Sequence, residues 1–533
     1  MTGRLLAVAA AAVAVFYGRG WRFDLQCDDF VMIRPWSGAE LAGVWHGTWD
    51  PQHAFAVFFR PVASWFFAGT FELFGVNPSA HLLLSLILLT CVVFALAVFV
   101  ARESGSAALG ALTAVIYAVH PNTAWSTGVW VTNDFHKLAA LAVLAALLVW
   151  QRVRNRGVAA WWPIVVLATA GFLVKEDNLM LIPALLTAQW ARARLMHDVA
   201  PPSGVHWAAG AAVSAGLWSW RWFALGQVGG FPLPHSIEMV ARNLARGPYY
   251  ALTGQGFEST GFTLPALALG ALGVVVIALT ILRLPRTRQW PAVFALILMA
   301  WYDAPLALIS NVTRYYIVTL AAAIVLATVV TALWSLARTS PRRAAAGAAF
   351  AVLLVAAGAR QRDVLDGFAV CGRLPLACPG WMLEFIPTLP TEARTFETTV
   401  SANCRAGETR RLGDAGVLTW GLGGAIVDSM TGARARETGA HVVTLLQASA
   451  TSATVVMRDP GATAGEPVDV RISVNGRDAT RLHLTSGDWV TATIALTPGW
   501  RTWLRGMHRA DARVTAGGRE RRGLEWQSFV PRP

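Results

Sequence analysis

Two adjacent carboxylates, Asp28 and Asp29, stand in the stretch Cys27-Asp-Asp-Phe-Val-Met-Ile33, soon after the first apolar run of the chain. Such a pair can take a proton from a hydroxyl, because each charge raises the proton affinity of the other, or it can hold a divalent cation. Farther along, Arg60, His120, Asn133, Asp134, His136, Lys137, the run Lys175-Glu176-Asp177, and Arg314 place polar and charged groups at the margins of long apolar stretches. Lys137 and Lys175 are the only lysines in a chain whose lysines and arginines number 44. Arginine answers every other need for a cation, so two lysines beside carboxylates point to a specific task. Cations at helix ends can hold an anion such as a phosphate, arginine bidentately and lysine as a point charge. Singly, each group also has an ordinary explanation: a solvated loop for Asp28-Asp29, a helix terminator for His120-Pro121, a hairpin with snorkelling charges for Lys175-Glu176-Asp177, an interfacial anchor for Arg314-Tyr315-Tyr316.

The elements that must position these groups are membrane helices. Of the 533 residues 55% are hydrophobic and 14% charged, too apolar a balance for an ordinary soluble protein. Apolar runs of the length that crosses a bilayer recur at about 3–19, 80–101, 106–120, 134–151, 157–174, 177–192, 206–225, 262–282, 289–309, 314–334 and 344–359. The first run lacks an A-x-A-like cleavage site with a plausible mature start, so it reads as a retained signal-anchor. With the N-terminus cytoplasmic, the inner connections carry Arg102, then Arg152, Arg154 and Arg156, then Arg192 and Arg194, then Arg283, Arg286 and Arg288, then Arg338, Arg342 and Arg343. The net charge of +13 is thereby explained by topology, and no nucleic-acid partner is expected.

The segment Phe58 to Val76 is apolar enough to span, but counting it would turn every later loop inside out. It opens on Arg60-Pro61 and carries Glu72 and several aromatics, so it is expected to lie along the outer surface. The odd number of spans then leaves the C-terminal part outside. From about residue 396 the chain alternates apolar and polar positions, with Asn-Gly and Pro-Gly turn signals, and predicts an antiparallel β-sandwich-like domain of about eight strands. The expected organisation is a transmembrane domain over 1–359, with a first outer loop at 20–79, a linker at 360–395 and an extracytoplasmic β-rich domain at 396–533. Trp420, Trp489, Trp500 and Trp503 fit a carbohydrate- or acceptor-binding role for this domain and fit its core equally well. Cys371, Cys378 and Cys404 would there meet an oxidising compartment, with their pairing open.

The order of these motifs resembles the polyprenyl-phosphate-sugar-dependent glycosyltransferases of the GT-C membrane fold. The resemblance runs over roughly residues 1–335 and rests on Cys27 to Ile33, on FRPVASWFFAGTFELFGVNPSAHLLLSLIL from Phe59, on AVIYAVHPNTAWSTGVW from Ala114, on LVKEDNLMLIPALL from Leu173 and on TRYYIVTLAAAIVL from Thr313. It is nearest to the protein O-mannosyltransferases and lipid-A aminoarabinose transferases, and within them to the tetratricopeptide-bearing mannosyltransferases. The sequence departs from that branch after Trp130, where Val131-Thr132-Asn133-Asp134-Phe135-His136-Lys137 replaces a Ser-Gly-Arg-x-Asp type motif. It also has no tetratricopeptide repeats.

The resemblance implies transfer of a sugar, with inversion, from a polyprenyl-phosphate donor to an extracytoplasmic acceptor hydroxyl of a protein, glycan or lipid. Asp28 or Asp29 would be the general base, with Asp28 the first choice. Lys175 and Arg314 would hold the phosphate, Arg60 and His120 standing behind them. Glu176 would orient Lys175 or shape the acceptor pocket, Asp134 could do the same on the neighbouring loop with Lys137 beside it in the pocket, and Asp134 or Lys137 would stand in for the missing arginine. No cofactor or metal is expected, since two cations neutralise a monophosphate, although the aspartate pair leaves a divalent ion open. The competing readings are a lipid-linked-sugar transporter or flippase, and an inactive relative that anchors the β-rich domain.

Overall fold

In a computed structural model of the chain the described residues are 1–23, 25, 29–50, 58–128, 130–226, 277–306, 316–337, 339–373, 417–427, 434–520 and 524–532, with isolated positions between 237 and 275. Asp28, Arg314, Cys378, Cys404 and most of the expected span at 262–282 lie outside them.

Apolar runs without interior turn signals become helices, the one open element that satisfies its own backbone in hydrocarbon. They are α1 (Thr2–Tyr17), α2 (Asp29–Met32), α3 (Gly38–Gly43), α4 (Pro61–Phe74), α5 (Pro78–Ser104), α6 (Ala107–Val119), α7 (Pro121–Thr127), α8 (Asp134–Val153), α9 (Trp162–Val174), α10 (Leu181–Met196), α11 (Gly204–Leu225), α12 (Arg286–Leu306), α13 (Tyr316–Leu336) and α14 (Ser340–Arg373). Proline opens α4, α5 and α7, where its missing N–H would have had no partner. Among the described residues five helical segments are long and apolar enough to cross a bilayer: Thr2–Trp21, Pro78–Ser104, Val131–Val153, Tyr316–Ser335 and Arg343–Arg362. The expectation of about eleven spans exceeds these five. Helices cover the other expected positions that lie within the described residues, but α6 and α9 have 13 residues each and α10 has 16. The last helix runs on to Arg373, past the expected start of the linker at 360.

Helix α5 is the hub, packing on α1, α6, α8 and α12, while α8 packs on α9, α10 on α12, and α13 on α6. One end of this bundle is tied by Glu103, at the close of α5. Its carboxylate accepts from Arg154 at 2.7 Å, from Trp290 Nε1 at 2.6 Å and from Gln151 at 2.7 Å, and it pairs with Arg192. The Glu103 side chain is buried, so one carboxylate gathers Arg154 after α8 and Arg192 of α10 at a single end of the bundle.

Among the described residues the C-terminal part forms one hydrogen-bonded network of nine strands: β1 (Val417–Val427), β2 (Arg434–Gln447), β3 (Ser452–Arg458), β4 (Val468–Val474), β5 (Arg477–Leu484), β6 (Val490–Ala495), β7 (Met507–Ala516), β8 (Arg519–Glu520) and β9 (Glu525–Arg532). A six-residue helix, α15 (Trp500–Arg505), joins β6 to β7. The strands form one sheet path with two leaves that part at the 14-residue β2: β7 pairs with its residues 441–447, and β9 with Arg436 and Glu437. Leaf β7-β4-β5 and leaf β9-β3-β6 follow from there. Val470, Ile472, Ala512 and Val514 of the first share a core with Ala453, Val455 and Ile494 of the second. The Asn475-Gly476 signal closes the β4–β5 hairpin with positive φ at both residues, 53° and 82°, which suits a primed turn.

The β-rich part rests on the helices. Asn77, which caps α5, donates to the carbonyl of Leu504 at 2.8 Å, and Arg505 donates to the carbonyl of Glu72 at 2.5 Å. Arg509 pairs with the Glu72 carboxylate, and Val443, Leu445 and Met507 join the apolar core of the helical bundle.

Candidate active site

The end of the bundle opposite Glu103 collects most of the polar residues named above. Asp29 opens α2, and its Oδ1 accepts from both the backbone N–H and the hydroxyl of Thr132, each at 2.6 Å. Thr132 lies in a single 3-10 turn, Val131–Asn133, that leads into α8. One turn on, Lys137 Nζ donates to Asp134 Oδ1 and to Ser85 Oγ, both at 2.5 Å, and the Ser85 hydroxyl donates to Asp134 at 2.7 Å. Lys137, Asp134, Ser85 and Asp29 are all buried, and the charge of Asp29 reaches Lys137. An ion pair this dry persists because each member's donors and acceptors are met, and it fixes α8 against α5.

The second lysine closes α9. Lys175 takes an extended backbone and its ammonium pairs with Asp177 at 2.7 Å while standing 4.0 Å over the ring of Tyr316, the first residue of α13. The Tyr316 hydroxyl donates to Asp177 at 3.0 Å and to Asn178 at 3.1 Å, and Tyr302 of α12 donates to the same Asn178 oxygen at 3.1 Å. His136 stacks on Tyr316 at 5.1 Å between ring centroids, which links this group to α8.

Between the two groups stands Arg60, the residue before α4. Its guanidinium lies 4.0 Å from the Phe58 ring, 4.7 Å from Phe135 and 4.8 Å from Trp49, with Glu176 at 3.6 Å. Glu176 also accepts from Arg221 at 2.9 Å and from the Phe59 N–H at 2.8 Å. Burial pulls the Arg60 guanidinium below its ordinary value, against the pull of Glu176 and Asp177 the other way. Among the described residues Arg60 Nε has no hydrogen-bond partner.

His120 caps α7, its Nδ1 accepting from the Asn122 N–H at 3.2 Å. One expected role is redistributed. Glu176 does not orient Lys175; Asp177 does, and Glu176 turns to Arg60 and Arg221, because neighbouring side chains in this turn face different ways. Asp134 and Lys137 are partners of one another. Sequence reasoning passed over Thr132, Ser85, Asn178, Tyr302 and Arg221. Of these only Arg221 carried a signal, as a lone cation inside an apolar run.

Residues 53–218 match the family model described as dolichyl-phosphate-mannose-protein mannosyltransferase. The matched segment contains Arg60, Ser85, His120, Thr132, Asp134, Lys137, Lys175, Glu176 and Asp177. No curated protein and no solved structure matches the chain.

Proposed function

With that match as its premise, supporting a membrane glycosyltransferase of the GT-C type that is mannosyltransferase-like, we propose that this chain transfers a sugar from a polyprenyl-phosphate donor to an acceptor hydroxyl on the extracytoplasmic face. The observation that carries the reading is the meeting, at one end of the bundle, of Asp29 with both lysines of the chain, the lysines lying within the family-matched segment.

The chemistry divides among these groups. An aspartate of the Asp28-Asp29 pair accepts the acceptor proton as the acceptor oxygen bonds to the sugar's anomeric carbon. The bond from that carbon to the phosphate oxygen breaks on the opposite face, so the configuration inverts and polyprenyl phosphate leaves. Asp29 is buried and held by Thr132, which suits it to anchor the loop, and Asp28 is assigned the proton. Lys175, Arg60 and Arg314 neutralise the departing phosphate. The reading requires no metal. The N-terminus is placed in the cytoplasm, the Glu103 end of the bundle inside, and the β-rich domain outside beside the site.

The test is transfer of labelled mannose from a polyprenyl-phosphate donor to endogenous acceptors in membranes holding the wild type or Asp28→Asn. Label incorporation that is lost in the variant supports the reading. Equal incorporation by both, at equal expression, overturns it.

A further inference from the structure

Helix α15 carries two of the most exposed aromatics among the described residues, Trp500 at 66% and Trp503 at 83%, three residues apart and so on one face. The sheet has not buried them, although Thr502 and Arg505 of the same helix are buried beneath. An indole pair left open at this cost in exposed apolar area needs a cover.

The position of α15 identifies that cover. The carbonyl of Leu504 accepts from Asn77, the residue that caps the 27-residue span α5, so α15 sits where that span enters the bilayer. Beside it, Arg505 packs on Gly75, whose φ of +57° ends α4, and bonds the Glu72 carbonyl. Leu83 and Ile87, in the first turns of α5, face outward at 55% and 52% exposure, as lipid-facing residues do. Helix α4 presents Trp65 and Leu73 in the same way, at 50% and 49%. Arg501 on α15 lies 5.4 Å from the Trp500 ring, a cation beside an indole, which is the composition of an interfacial anchor.

We propose that Trp500 and Trp503 insert into the headgroup layer of the bilayer next to the start of α5, so that α15 is a lipid anchor for the β-rich domain. The domain is then held at a fixed height over the site by two devices, the contacts to Asn77 and Glu72 from within the protein and the indoles from the lipid. The proposal rests on the membrane reading of α5 and not on the transfer reaction, so its failure and that of the transferase assignment are read in separate assays.

The full chain, with its five cysteines replaced, is labelled with an environment-sensitive fluorophore at Trp503→Cys, at Trp500→Cys and, as an exposed reference, at Ala464→Cys, and is placed in phosphatidylcholine nanodiscs. Labels at 503 and 500 are expected to shift to the blue, to be quenched by lipids carrying a nitroxide near the headgroup, and to resist aqueous iodide. The label at 464 is expected to do the reverse. Iodide quenching at 503 and 500 equal to that at 464, with no effect of nitroxide lipid, overturns the proposal. So does protection from iodide that appears only when an oligosaccharide is added, which would make the pair a sugar platform. Because both indoles are exposed, neither substitution opens a cavity, and unchanged gel filtration confirms the fold in each labelled variant.

Discussion

Thr132 donates both its backbone N–H and its hydroxyl to one oxygen of Asp29, across 103 residues of sequence. The aspartate loop is thus indexed to the start of α8, and through Lys137 and Ser85 to α5. Removing the hydroxyl alone leaves a buried carboxylate with one bond fewer. Thr132→Val is expected to lower turnover by about 10- to 100-fold, the usual worth of a hydrogen bond to a charged group, with Thr132→Ser close to wild type. Turnover in Thr132→Val equal to wild type would dismiss Thr132 as a positioning residue.

The base itself answers to a different measurement. Asp28→Asn is expected to lose about 10²- to 10⁴-fold in kcat with donor affinity unchanged, and to lose the acid limb of the pH–rate profile, since no carboxyl remains to be protonated. Asp29→Asn is expected to lose less and to keep that limb. The opposite ranking would exchange the two roles.

Lys175 stands between Asp177 and the Tyr316 ring. Lys175→Gln is expected to raise the apparent KM for the polyprenyl-phosphate donor by about 10- to 100-fold, leaving acceptor KM within a factor of about two. An unchanged donor KM in a variant that folds and expresses normally would take Lys175 out of the phosphate site.

The junction of the two parts has its own pH dependence. Burial raises the Asp511 carboxyl, but the hydrogen bond to His441 at 3.1 Å and the Arg509 guanidinium at 2.9 Å outweigh it and hold Asp511 below its ordinary value. A carboxyl depressed by folding contributes stability above its unfolded value, near pH 4, and that contribution fades as the pH falls toward the folded value. Thermal unfolding of the full chain should therefore show Asp511→Asn melting below wild type at pH 7, with the gap narrowing on acidification below about pH 4. A gap that is the same at both ends of this range would mean the Asp511 charge has no part in stability.

Topology is open to chemical labelling in intact cells. A cysteine introduced at Ala464, an exposed loop position of the β-rich domain, is expected to react with a membrane-impermeant maleimide added outside. Labelling only after permeabilisation would invert the proposed orientation.

The sequence by itself determined the kinds of element and their ends. Long apolar runs must be helices because hydrocarbon offers the backbone no other partner, and α5, α8, α11 and α13 fall where those runs do. The start of α4 was legible from Arg60-Pro61, and the alternating tail with Asn475-Gly476 from its period of two. The charged residues at helix margins were visible as a set, since a charge beside lipid is conspicuous in any sequence. Their pairings were not. That Asp177 and not Glu176 holds Lys175, that Glu176 serves Arg60 and Arg221, and that Thr132 grips Asp29 depend on how each helix is rotated about its axis and where it crosses its neighbours. Local periodicity records which face of a helix is apolar, not which residue on another helix will meet it. The placing of α15 at the mouth of α5 likewise joins residues 427 positions apart, and only the packing of the β-rich domain on the helices decided it.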